Sequence, residues 1–257
     1  SRGLGDVYKR QIVLTLFGWC SGCNFRLAKK DLLVVFLLSL LRATTSFSLL
    51  IAYQNIATGV ASTIHFMYPL AVSLAMMFFF HEKKSLLVML AVLMSLFGAA
   101  LLSSGELEAK SGDTIVGLVA ACISVFSYGG YIIGVRTTRA AQINSTVLTC
   151  YVMGMGAVFY LIGAMATSGL HLVTDGYIWL IILGLALPAT AISNITLVRA
   201  IKYAGPTLTS ILGAMEPLTA VVIGVFVFKE LFTLNSAIGI LLILLAVGMV
   251  VFRKQKS

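Results

Sequence analysis

Eight apolar segments, about one every 30 residues, set the terms on which this chain folds. They run Leu32–Asn55, Gly59–Phe80, Ser85–Leu102, Thr114–Val135, Thr146–Ala166, Tyr177–Val198, Pro206–Phe228 and Thr233–Phe252. Each is long enough for a helix to cross a bilayer core, which takes roughly 20 residues. In lipid the backbone must satisfy its hydrogen bonds within a helix or a closed barrel. Barrel strands alternate polar and apolar positions, whereas these segments are continuously apolar, so they are read as helices. Composition leads the same way: 60% of the 257 residues are hydrophobic and 11% are charged, against about 25% charged in a soluble domain. One water-soluble core could not bury so much apolar surface. A soluble enzyme, a nucleic-acid reader and a disordered scaffold are thereby excluded, and the expected fold class is an all-α integral membrane bundle.

The net charge of +9 is a topology marker rather than the footprint of a polyanionic partner. Counted by alternate loops, one side holds Arg26, Lys29, Lys30, Lys83, Lys84, Arg136, Arg139, Arg199, Lys202, Arg253, Lys254 and Lys256. The other side holds Lys110 and Lys229, apart from the three basic residues of the first eleven. The positive-inside rule puts the first side, and the C-terminus, in the cytoplasm. The expected location is a plasma or inner cell membrane crossed several times. The acidic loop Gly105–Asp113 then faces outward, and the Asn144 sequon is cytoplasmic and unglycosylated.

Residues 1–11 (SRGLGDVYKRQ) meet the next apolar run without a cap or a cleavage pattern and read as a non-native leader. The run Ile12–Phe25 has 14 residues, short of the roughly 17 a span needs, and reads as the end of a helix whose beginning is missing. Cys20 and Cys23 form a CxxC with no second pair or nearby His, so buried thiols are expected rather than a metal site.

The chain also repeats itself at an offset of 148 residues: Ala52 falls on Ala200, Ser62 on Ser210, Met67 on Met215, Pro69 on Pro217, Leu70 on Leu218, Glu82 on Glu230 and Leu86 on Leu234. Both copies place a proline in mid-helix and a glutamate thirteen residues later. The Glu82 loop is expected inside and the Glu230 loop outside, so the copies lie inverted. Residues 12–103 form the first, incomplete repeat and residues 114–253 the second, from a parent of five plus five helices of which about nine are present. Inverted repeats around a midplane site are a recurrent plan of secondary transporters, in which two similar halves open either face in turn.

Met215-Glu216-Pro217-Leu218, then Phe228-Lys229-Glu230 and a last helix bearing Gly239 and Gly248, with Tyr68-Pro69-Leu70 and His81-Glu82 as a weaker first copy, resemble the EamA family of the drug/metabolite transporter superfamily. The resemblance implies a secondary-active or facilitative carrier, commonly an exporter of amino acids, other metabolites or toxic compounds. It implies a lipid bilayer and a small-molecule substrate as partners, and names no cofactor or nucleic acid. Proton coupling and pairing of two copies as a homodimer stay open.

An ion at mid-bilayer costs about 2.5–3.5 kcal/mol even on insertion scales, so Arg42 and Glu216, each ten residues into its span, need a reason. Glu216 would bind a cationic group or a coupling proton and Arg42 an anionic one, together suiting a zwitterion. Otherwise Glu216 bonds backbone freed by Pro217, while Arg42 snorkels or pairs with Glu216. His65, one turn from Tyr68, shares a helical face with Thr58, Ser62 and Pro69, as a packed histidine, a cavity wall or a proton relay. Ser124, Ser127, Tyr128 and Tyr131 form one polar stripe, Thr190 and Asn194 another, and Arg42, Ser46 and Tyr53 a third. Each serves interhelical bonding or a cavity wall. The candidate substrate-binding residues are thus Glu216, Arg42, His65, Tyr68, Tyr128, Tyr131 and Asn194. Glu82 and Glu230 read as structural charges at helix ends, Trp19 and Trp179 as interfacial anchors, and Gly130 with Gly134 as a close helix contact.

His171–Gly176 (HLVTDG) matches an acyltransferase HxxxDG pattern, but in a short external loop with no acceptor domain. GxSxG, HExxH and P-loop motifs do not occur. A carrier rather than an enzyme is therefore expected. A membrane protein that binds a ligand or partner without moving it is the second reading.

Overall fold

The computed structural model describes residues 27–82, 85–103, 112–167, 192–213, 215–219 and 233–255. The expected leader, the Ile12–Phe25 run, the CxxC, both tryptophans, the HLVTDG loop, Glu230 and most of the Tyr177–Val198 span lie outside those residues. Every regular element described is helical, as the continuously apolar segments require. In chain order they are α1 (Lys29–Asn55), α2 (Thr58–His65), α3 (Tyr68–Phe79), α4 (Leu86–Ser103), α5 (Thr114–Thr137), a 3₁₀ turn (Arg139–Gln142), α6 (Ser145–Thr167), α7 (Ser193–Ala204), α8 (Pro206–Leu212) and α9 (Leu234–Gln255). Among the described residues, Lys29–Asn55, Thr58–Phe79 taken across its break, and Thr114–Thr137 are long and apolar enough to cross a membrane; Leu86–Leu101, Ser145–Tyr160 and Ala237–Met249 are shorter apolar stretches. Phe97, Phe126, Leu93 and Leu241 face outward, which water would penalise and lipid does not.

The chain divides into two compact units: Ser1–Ala43 with Gly134–Tyr203, and Thr44–Ile133 with Ala204–Ser257. In the first, Val35, Leu38, Val135, Leu148 and Val198 are buried, and Phe36 meets Phe159 edge to face at 5.6 Å. Gly134 of the expected GxxxG makes a close contact, since a Cβ there would lie 2.7 Å from Leu38 Cδ2. Polar ties gather around the 3₁₀ turn and the end of α7. Arg139 Nε donates to Asp31 at 2.7 Å, Arg136 to the Lys202 carbonyl, and Lys202 Nζ to the Ile143 carbonyl.

Half-burial at that carbonyl pushes the Lys202 amine down from an ordinary 10.5 to about 8, because desolvation penalises the ammonium. The folded state therefore binds fewer protons than the unfolded one between about pH 8 and 10.5, and Lys202 adds stability as pH rises through that window. An amine-directed label followed by mass spectrometry is expected to show Lys202 reactivity half-developed near pH 8. A midpoint near 10.5 would contradict this.

In the second unit, two small-residue seams let helices close up. One joins α1, α2 and α5 through Ala52, Ile56, Ala61, Ala120 and Ala121. The other joins α4, α8 and α9 through Ala91, Val92, Ile211 and Ala246. Small residues permit the backbone approach on which dispersion depends when lipid offers no hydrophobic drive. At Gly98 a Cβ would sit 2.8 Å from the Gly239 carbonyl oxygen and from Ile243 Cγ1. Gly98→Val is expected to cost about 1–3 kcal/mol by overpacking, read as a lower thermal midpoint in detergent. Gly156→Ala, in mid-helix with nothing within 4 Å, should hold or slightly raise the midpoint, since alanine is the better helix former.

Outside the seams, Asp113 caps α5, its Oδ1 accepting from Ile115 and Val116 N–H at 2.9 and 3.2 Å. Its own N–H donates to Asn55 Oδ1 at 3.0 Å, tying the end of α1 to the start of α5.

Candidate functional site

The expected single span Gly59–Phe80 is two helices. Pro69 has no N–H, so the His65 carbonyl loses its i+4 donor, and the residue before a proline resists helical geometry. The chain closes α2 with a last α-helical bond, Phe66 N–H to Ser62 O, and a tighter 3₁₀ bond, Met67 N–H to Ile64 O, both 2.9 Å, and restarts as α3 at Tyr68. The face expected from Thr58 through Pro69 thus ends at His65, and Pro69 belongs to the next helix. The second copy breaks at the matching place. There α8 ends at Leu212, residues 215–219 resume the helix, and Pro217 withdraws the donor due to the Gly213 carbonyl. Glu216 N–H, one residue earlier, takes that carbonyl at 3.0 Å. His65 and Gly213, Tyr68 and Glu216, and Pro69 and Pro217 are related by the same 148-residue offset.

The two breaks meet. Helices α3 and α8 pack together, and a Cβ built on Gly213 would lie 1.8 Å from the Tyr68 hydroxyl. Gly213 has ordinary helical dihedrals (φ −60°, ψ −23°), so glycine is needed here for space, not for conformation. Glu216 is exposed and lies close enough for its charge to act on the Tyr68 phenol.

Around Tyr68 the aromatic groups converge. Tyr68 and Tyr128 stand edge to face at 4.7 Å, His65 lies 5.6 Å from Tyr68 and 5.5 Å from Tyr128, and Tyr131 is parallel to Tyr128 at 6.4 Å. These separations favour edge and offset contacts of ring quadrupoles. The three tyrosines are buried. His65 Nδ1 is 2.9 Å from Ser124 Oγ, which itself donates to the Ala121 carbonyl at 2.6 Å. Nearby, Tyr53 and Ser62 hydroxyls bond at 3.2 Å. On α3 and α8, the buried hydroxyls of Ser73 and Thr209 have no partner among the described residues, each a cost of about 1–3 kcal/mol when nothing polar meets it.

Five of the seven candidates, His65, Tyr68, Tyr128, Tyr131 and Glu216, therefore fall in the second unit around the paired breaks. Arg42 on α1 and Asn194 on α7 belong to the first unit, where Arg42 is half-buried and Asn194 buried. Residue spacing gave no sign of two contributors: Gly213, whose missing side chain leaves room for the Tyr68 hydroxyl, and Thr207, whose hydroxyl donates to Glu82 at 2.6 Å. Glu82 is a helix-end charge, as expected, but one that binds the first turn of α8.

Lipid-facing helices interrupted by proline at matching positions, with polar groups gathered at the breaks, are the makings of a membrane carrier. The EamA-like transporter family matches residues 115–252, more than half of the chain. The chain belongs to the EamA-like transporter family, and so is a multi-pass membrane transporter of the drug/metabolite type. A solved crystal structure, 18% identical, aligns with a TM-score of 0.81 over 98% of this chain and 87% of that one, which establishes a shared fold. No curated protein matches the chain.

Proposed function

We propose that the protein carries a small metabolite or drug bearing a cationic nitrogen out of the cell, by alternating access around a polar cavity at the two helix breaks. The observation that carries this reading is the pairing of the interrupted helices at Tyr68 and Gly213, with Glu216 beside them. Continuous helices would suffice for a scaffold, whereas an interrupted helix puts polar backbone at membrane depth, where it is tolerated next to a cavity or buried in protein. Glu216 supplies the negative charge for an ammonium or a coupling proton. Arg42 and Asn194, in the first unit, are proposed as substrate-binding groups on their residue chemistry alone, a cation for a carboxylate and a neutral hydrogen-bonding amide. The bias of basic loops supports a C-terminus in the cytoplasm of a plasma or inner membrane.

Liposomes containing the purified protein test the reading. Saturable flux of a radiolabelled amino acid or cationic drug, absent from protein-free vesicles, is expected. Binding without flux across a broad substrate panel would replace a carrier with a ligand-binding membrane protein.

A further inference from the structure

The hydroxyl of Ser124 has one proton, and the short bond to the Ala121 carbonyl uses it, since a carbonyl oxygen can only accept. In its 2.9 Å contact with His65 Ser124 therefore accepts, and Nδ1 of the imidazole must be the donor. A neutral histidine protonated at Nδ1 has a lone pair at Nε2, and any group that bonds Nε2 must bring a proton. We infer that Ser124 is a positioning residue for His65: it holds the imidazole in the Nδ1–H form, so that His65 takes up and gives back a proton at Nε2 alone. Ser124 is wholly buried, so water does not compete for its oxygen, and it sits one turn before Tyr128 on the same helix.

The step balances simply. Uptake forms an Nε2–H bond and an imidazolium that still donates from Nδ1 to Ser124; release returns the neutral Nδ1–H form. Among the described residues, the titratable groups against the ring include the phenols of Tyr128 on α5 and Tyr68 on α3, with Tyr131 against Tyr128 and the Glu216 carboxylate acting on Tyr68. A substrate group bonded at Nε2 would have to be a donor, such as an ammonium or a hydroxyl. The tautomer stands by itself, whereas its part in transport rests on the carrier reading above.

The sequence has three histidines, which makes the assignment measurable. In the full-length protein with His81→Asn and His171→Asn, ¹⁵N spectra of labelled histidine report His65 alone. At high pH, a protonated Nδ1 and a bare Nε2 are expected. Ser124→Ala should shift the tautomer ratio toward Nε2–H roughly 2- to 12-fold, the worth of one ordinary net hydrogen bond, and Ser124→Thr should restore it. A dominant Nε2–H form in the parent, or a spectrum indifferent to Ser124→Ala, overturns the assignment. In liposomes, Ser124→Ala should move the pH midpoint of flux and Ser124→Thr should return it. An unmoved midpoint in a protein that transports removes proton exchange at His65 from the cycle. Absence of flux in the parent removes the carrier reading, and the spectra still decide the tautomer.

Discussion

Replacing Gly213 by alanine is expected to cost stability on a scale rare for adding one methyl group, and replacing Tyr68 by phenylalanine in the same chain should recover most of the loss. The added Cβ would lie 1.8 Å from the Tyr68 hydroxyl oxygen and 3.1 Å from its Cζ. Tyr68 is only 2% exposed and stands against Tyr128 and His65, so its ring cannot swing aside. Either α8 retreats from α3 or the aromatic group repacks, at about 1–3 kcal/mol or more for overpacking. Removing the hydroxyl leaves Tyr68 Cζ and the Ser210 carbonyl oxygen as the nearest atoms, both at 3.1 Å, tight contacts that a few tenths of an ångström relieve. Thermal unfolding in detergent across the double-mutant cycle separates the pair term from the two single effects. If Gly213→Ala is no less stable than the parent, or if Tyr68→Phe fails to offset it, the two breaks are not locked together by this contact.

Glu216→Gln is expected to raise the half-saturation concentration of a cationic substrate about 10- to 150-fold, the span of about 1.5–3 kcal/mol for a hydrogen bond to a charged group. The substitution keeps size and shape and removes the charge. Glu216 N–H is committed to the Gly213 carbonyl, so the backbone role of this residue survives and only the side chain is tested. Liposome flux against substrate concentration reads the effect, with elution volume and thermal midpoint as controls for folding. Unchanged flux from a well-folded variant would take Glu216 out of the binding site and return it to bonding backbone near Pro217.

The helices were legible because lipid makes one demand of every segment, and a continuous apolar run meets it in only one way. The breaks were partly legible. Pro69 and Pro217 announced them, but each opens in the turn before its proline, at Phe66–Met67 and at Gly213, at or next to the carbonyl whose i+4 donor the proline withdraws. Spacing along one helix identified His65 on its face and Ser124 on its stripe, yet periodicity gives a direction and not a partner, and these two are 59 residues apart. The bond between Glu82 and Thr207, 125 residues apart, was hidden for the same reason. Gly213 escaped because a glycine contributes by what it lacks, and only the tyrosine occupying its missing side chain's place shows why it is there.

The Glu82–Thr207 bond also has a bearing on the resting state of a carrier built from two repeats. Under the 148-residue offset Thr207 corresponds to Gly59, which has no hydroxyl to offer Glu230. In the alternating-access cycle proposed above, an exchange of the two halves would make this bond in one direction only. An ordinary net hydrogen bond is worth about 0.5–1.5 kcal/mol, so this asymmetry alone would weight the two end states roughly 2- to 12-fold against each other. On that reading, the empty carrier favours the end state in which Glu82 holds Thr207.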